Sequence, residues 1–452
     1  MIEAFLKKQN PTGPEKIALV LSMSVPAILA QLTSIAEQYI DAAMVGSLGA
    51  QATGAIGLVS TTTWLLGGMC IGMSSGFSVQ AAQLVGAGRK DEAANVLRQG
   101  LKTLLAASFV IALVCVCISG HLPVWLGGAQ EIQKNAGVYF FIFALTLPFA
   151  QTRQLCGSMM QCSGDMKTPS TLSATLCLLD VVFNFLFINV LKLGVMGAAL
   201  GTACSEIVIS GAMLYCACVR SPILNLRKKG SWKLQPSIMK NAAVIALPLT
   251  FDHIFMCSAY LAGTVMIAPL GTVSVAANSL SVTAESFCYM PGYGIGQAST
   301  AIIGQTIGAG RKDLTKSFSR LTVYLAMLMM ALSGALMYVI APYVFGFLTS
   351  DAQVAALGTR VLRLELIAEP LYAASICCAG VFRGAGDTLV PSIMNLAGMW
   401  GVRIVMAHFL IPVYGLAGYW IAMAADLCFR GLIFLVRLYR GSWMKEKMVE
   451  DA

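Results

Sequence analysis

The chain has 452 residues, 57% hydrophobic and 11% charged, with a formal net charge of +9 and a mean hydropathy of +0.76. That balance excludes a soluble globular protein and belongs to an integral membrane protein. The fourteen cysteines sit within apolar runs, as at Cys115/Cys117 and Cys216/Cys218, and read as reduced core residues, not as a disulfide framework.

Residues 1–16 hold charges and the helix breakers Pro11, Gly13 and Pro14, with no cleavage site of the Ala-x-Ala kind, so no leader is expected to be removed. About twelve apolar segments then follow, each long enough to cross ~30 Å of hydrocarbon as a helix. The expected spans are 17–46, 55–82, 98–120, 133–161, 169–190 and 194–219 in a first lobe (17–219). A second lobe (238–437) holds 238–267, 277–304, 319–341, 355–382, 390–411 and 415–437. Between them, residues 220–237 form a basic linker with Arg220, Arg227, Lys228, Lys229 and Lys233, and residues 438–452 form a tail. Pro26, Pro148, Pro248, Pro370 and the glycine-rich stretch 67–76 mark expected kinks.

The two lobes are copies. Gln83-Leu84-Val85-Gly86-Ala87-Gly88-Arg89-Lys90-Asp91 returns 222 residues later as Gln305-Thr306-Ile307-Gly308-Ala309-Gly310-Arg311-Lys312-Asp313. The same offset pairs Pro26 with Pro248, Leu48-Gly49 with Leu270-Gly271, Pro148 with Pro370, Gly164-Asp165 with Gly386-Asp387, and Pro169 with Pro391. A duplicated half inside hydrophobic sequence is typical of secondary transporters, whose site lies between the halves.

Lysines and arginines collect on one side of a twelve-span topology: Lys7, Lys8, Lys16, Arg89, Lys90, Arg98, Lys102, Lys167, the linker, Arg311, Lys312, Lys316, Arg320, Arg383, Arg437, Arg440, Lys445 and Lys447. Opposite them lie little more than Lys134, Lys192 and Arg360. By the positive-inside rule both termini are cytoplasmic, and the net charge needs no nucleic-acid partner. An even number of spans per lobe makes the repeats parallel, related by an axis along the membrane normal.

The duplicated Gln-x-x-Gly-Ala-Gly-Arg-Lys-Asp, the run Phe382-Arg383-Gly384-Ala385-Gly386-Asp387-Thr388 before Pro391, and Glu285-Ser286-Phe287-Cys288-Tyr289-Met290-Pro291-Gly292 resemble bacterial multidrug and toxic compound extrusion (MATE) transporters. The resemblance covers nearly the whole chain. It implies an all-α membrane protein of two six-helix lobes around a central cleft, in the cell membrane and working as a monomer. It also implies export of organic, often cationic, compounds against protons or sodium ions, with no cofactor beyond that ion.

Ionisable groups inside a bilayer are costly unless paired or facing water, so they mark the chemistry. Asp41 lies in a mostly apolar run fifteen residues after Pro26, and its repeat-mate is Gly263. Asp180 and Asn184 are four apart and share a helix face. In this branch the resemblance assigns a coupling-ion site to Asp41, Asp180, Asn184 and Thr202, although Asn was expected first and Asp second at 180 and 184. Such oxygen ligands suit sodium, and two close carboxylates can equally share a proton. In the second lobe Asp252, Glu285, Glu369 and Arg403 are candidates for coupling or substrate binding. Glu365 stands four before Glu369, and a structural network in which Arg403 or Arg363 neutralises a glutamate is the alternative. His253 reads as a satisfied histidine, and His121 and His408 read as peripheral. Met290 and Tyr293, beside Pro291, are candidate substrate contacts because thioether and aromatic surfaces accept varied amphiphilic cations.

No Gly-x-x-x-x-Gly-Lys-Ser/Thr, His-Glu-x-x-His or paired Cys-x-x-Cys exists, so no enzyme and no metal beyond sodium is expected, and Gly384-Ala385-Gly386-Asp387 reads as a helix-ending turn. The alternative function is a lipid-precursor flippase, whose cleft would present several cations to a pyrophosphate.

Overall fold

A computed structural model describes residues 2–8, 11–227, 230 and 232–444, apart from the side chains of residues 3 and 4. Lys228, Lys229, Lys445 and Lys447, among the cations that set the expected orientation, lie outside the described residues. Every regular element described is helical, the form in which a spanning segment satisfies its own backbone groups. In order these are α1 (Ile2–Leu6), α2 (Gly13–Gly46), α3 (Ala50–Gly86), α4 (Lys90–Ile118), α5 (Leu122–Trp125) and α6 (Gln130–Cys162). Next come α7 (Lys167–Asn184) with a π-turn Phe185–Val190, α8 (Gly194–Tyr215) with a π-turn Cys216–Arg220, α9 (Pro236–Ile267), α10 (Thr272–Gly308) and α11 (Lys312–Leu348). The chain closes with α12 (Ala352–Glu365), α13 (Glu369–Gly384), α14 (Leu389–Leu396), a π-helical stretch Ala397–Ile404, α15 (Val405–Tyr414) and α16 (Leu416–Arg440).

The expected twelve segments therefore correspond, among the described residues, to twelve helical rods, with α12–α13 as one bent rod and α14–α15 as another continuous one. Eight are long and apolar enough to cross a membrane, and the α12–α13 pair would make nine. α6, α10 and α16 have the length, at 33, 37 and 25 residues. They fall short in apolarity because they carry Gln151, Arg153 and Gln154, Glu285 amid serines and threonines, and Asp426, Arg430 and Arg437 respectively.

The chain packs as two units. The first-half unit is residues 32–250, and the second-half unit is the described part of 1–31 and 251–447. The boundaries fall inside α2 and α9, a few residues beyond Pro26 and Pro248. The sequence lobes and the packing units thus differ in which unit holds residues 17–31 and 238–250. In the first-half unit α3, α4, α6 and α8 enclose Phe77, Leu97, Leu155, Met159 and Met213. In the second-half unit α10, α11, α13 and α16 pack together, and Phe382 stacks on Phe434 with ring centroids 5.8 Å apart.

The repeated motifs are helix ends. The amide of Arg89 donates to the Leu84 carbonyl (2.9 Å), that of Arg311 to Thr306 (3.0 Å), Asp165 to Met160 (3.0 Å) and Asp387 to Phe382 (2.9 Å). In each case the preceding glycine is left-handed, with φ of 81° at Gly88 and 70° at Gly310, a backbone that a Cβ would strain. Of the four prolines expected to mark kinks, Pro26, Pro148 and Pro248 lie inside continuous helices; only Pro370 adjoins a break.

Candidate functional site

Within the first-half unit, α2 and α7 bring three of the four expected ion-site residues, Asp41, Asp180 and Asn184, into contact. The amide nitrogen of Asn184 donates to Asp41 Oδ1 (2.9 Å) and to Asp180 Oδ2 (2.8 Å). It can reach both because Asp180 lies one turn before it and because α7 passes into its π-turn directly after Asn184. Asp180 and Asn184 are buried, with 0% and 2% of their surface exposed. Asn184 Oδ1 has no hydrogen-bond partner. Asp180 receives a second bond at Oδ1 from Ser205 Oγ (3.2 Å), and the Ser205 hydroxyl also donates to the Thr202 carbonyl (2.9 Å). Thr202 thus contributes a backbone oxygen one turn from Ser205, the hydroxyl that meets Asp180.

A third carboxylate belongs here. Glu37, Asp41 and Asp180 offer oxygens within 4.8 Å of one another, an all-oxygen donor set suited to a hard cation or to shared protons. Sequence reasoning passed over Glu37, although it precedes Asp41 by one helical turn and so shares its face. It also passed over Ser205 and the pair Arg153–Glu206, whose Nε–Oε1 distance is 2.7 Å. Arg153 is thereby engaged with Glu206.

The second-half unit has an Asp–Asn bond of its own. Asn395 Nδ2 donates to Asp252 Oδ2 (3.1 Å), joining α9 to α14 across a separation of 143 residues, the same separation as Asp41 and Asn184. Asp252, however, comes four residues after Pro248, whereas Asp41 comes fifteen after Pro26, so the bond lies three helical turns earlier on its helix pair. The repeat-mate of Asp41, Gly263, abuts Tyr419: a Cβ there would lie 2.4 Å from the phenol oxygen.

Arg403 is buried in an ion triad with Asp426 and Arg430. Arg403 Nη2 lies 2.8 Å from Asp426 Oδ2, and Arg430 Nε lies 2.8 Å from Asp426 Oδ1. Neither Asp426 nor Arg430 was singled out in the sequence, since their i, i+4 spacing alone does not distinguish a buried pair from a surface one. Glu285 and Glu369 are buried in the same unit. Tyr293 sits edge-on to Tyr289 (5.9 Å), which sits edge-on to Tyr372 (5.7 Å), and Met290 Sδ is 4.0 Å from the amide of Gln31. His253 is half-buried beside Asp252. All fourteen cysteines are free thiols.

The MatE family profile matches twice, over residues 26–186 and 248–409. The two matches begin at Pro26 and Pro248, the 222-residue offset of the internal repeat. The chain belongs to the MatE family. MatE relatives across its length include the probable multidrug resistance protein NorM of Thermotoga maritima, 22% identical over 96% of this chain and 95% of the relative. The multidrug resistance protein MdtK of Yersinia pestis is 23% identical over 95% of each. Among solved structures, an outward-facing multidrug resistance MATE transporter superposes with a TM-score of 0.90 at 20% identity, covering 95% of this chain and 96% of that one. A MOP superfamily transporter from Pyrococcus furiosus gives 0.89 at 19%, covering 94% and 96%. The MatE chain is thus a multi-pass membrane protein with that fold.

Proposed function

We propose that this protein is a multidrug efflux transporter that exports organic, preferentially cationic amphiphilic compounds in exchange for protons or sodium ions, with Asp41 as the coupling residue. The observation that carries the reading is the Asn184 amide joining Asp41 to Asp180 with Glu37 alongside. Three carboxylates at membrane depth are costly unless a cation or protons accompany them. Arg153, which acts on Glu37 only through space, is bonded to Glu206. The names of the NorM and MdtK relatives support multidrug efflux as the transported class.

Coupling then follows from linkage. An ion that stabilises one conformation lowers affinity for a substrate that needs the other, so exchange requires no contact between them. In this reading both termini and the basic loops face the cytoplasm, and the functional unit is the monomer. Asp41→Asn keeps size and hydrogen bonding but cannot carry the charge. It is expected to fold, reach the membrane and lose gradient-driven efflux from proteoliposomes. Undiminished coupled efflux by Asp41→Asn would move the coupling site to Asp252 or Glu369.

A further inference from the structure

The rod formed by α12 and α13 bends by 60° at residues 366–368. Its counterpart in the other repeat, α6, runs unbroken from Gln130 to Cys162. Both carry the equivalent proline, Pro370 and Pro148, so proline alone does not make the break. Among the differences before that proline, two bring charge: Glu365 and Glu369 stand where α6 has Phe143 and Leu147.

These glutamates are fully buried, at 0% exposure, and all four carboxylate oxygens have no hydrogen-bond partner. Arg403 and Arg363, the cations the sequence offered as their partners, are bonded elsewhere. Arg403 pairs with Asp426, and Arg363 donates to the Tyr338 carbonyl (3.0 Å) and lies over its ring. Around the pair, α10 presents Glu285, Cys288 and Tyr289, α16 presents Cys428, α11 faces Glu369 with Gly334, and Arg403 acts on Glu365 only through space. Carboxylates so placed need a bound positive charge. A discontinuous span is where membrane proteins place such ions, because the break frees backbone at a protein-lined position.

We propose that Glu365 and Glu369 form a monovalent-cation site, for a proton or sodium, whose occupancy sets the bend of this rod. The hinge goes beyond coupling at Asp41 and does not depend on it. Loaded, the site holds the bent form seen here. Emptied, the two charges repel within an apolar setting, and a continuous helix like α6 carries them out of it.

The experiment uses the full chain in nanodiscs, with spin labels on genetically encoded keto amino acids at Gln353 and Leu389, both exposed. With rods of 14 and 16 residues, removing the bend lengthens the span by about 6 Å at 1.5 Å per residue. The expected result is a lengthening of that order on passing from pH 5 to pH 8 without sodium. Reversal by sodium at pH 8 identifies sodium as a ligand, and no reversal leaves the proton. Glu365→Gln/Glu369→Gln, neutral at every pH, is expected to keep the short distance throughout. A wild-type distance unchanged by both pH and sodium, or a double variant that keeps the full pH response, would overturn the proposal.

Discussion

An alanine methyl at position 201 would lie 2.0 Å from Asn184 Oδ1 and 2.9 Å from the Asn184 backbone nitrogen. The amide that bridges Asp41 and Asp180 therefore holds its place only because α8 offers a bare Cα. Gly201→Ala is expected to cost about 1–3 kcal/mol through overpacking and to displace the amide, seen as a lower melting temperature together with reduced coupled efflux. A variant that melts lower yet keeps its coupling would show that the amide's position does not matter. Asp41, Asp180 and Asn184 were legible in the sequence because each is a polar group in an apolar run. Glu37 was legible in principle, one turn before Asp41. Ser205 was not, because choosing between hydroxyls three residues apart on α8 requires knowing the rotation of that helix against α7.

At the scale of elements, the duplicated loops share a fold but not a set of contacts. Arg89 pairs with Glu92 in its own first turn, at 2.5 Å. Arg311 pairs with Asp313 (2.8 Å) and also donates to the carbonyls of Leu6 (3.0 Å) and Lys8 (2.9 Å). Phe5 packs edge-on to Phe318, and Lys16 bonds Ser317 (2.9 Å). Arg311→Ala is therefore expected to loosen residues 2–8, each lost bond being worth about 1 kcal/mol. Faster hydrogen exchange in α1, with Arg89→Ala leaving α1 unchanged, is the measurement. Equal protection of α1 in wild type and Arg311→Ala would refute it. The same loops show why identical sequence does not ensure an identical role: the partner of Arg311 comes from more than 300 residues away, beyond the reach of any motif.

For the molecule as a whole, the membrane-depth groups are mostly acidic: Glu37, Asp41, Asp180, Asp252, Glu285, Glu365 and Glu369. On the proposed function, buried acidic groups of this kind would favour cationic compounds and oppose anionic ones by several-fold in local concentration. Cells expressing the protein are expected to accumulate less of a cationic dye. An ionophore that collapses the coupling gradient should abolish the difference. Resistance confined to anionic compounds would contradict this.

The helical class, the duplicated half, the twelve segments and the family were all determined by the sequence alone. They rest on quantities local to the chain: hydropathy over a span, proline and glycine at a fixed offset, and charge in loops. The tertiary structure decided which polar groups meet. Asp41 and Asn184 are 143 residues apart, and their contact depends on helix rotation and on a π-turn after Asn184. Tertiary structure also decided where the repeat departs from symmetry. The same proline sits in an unbroken α6 and beside a 60° break, and only packing reveals that the two glutamates flanking that break are buried without a hydrogen-bond partner among the described residues.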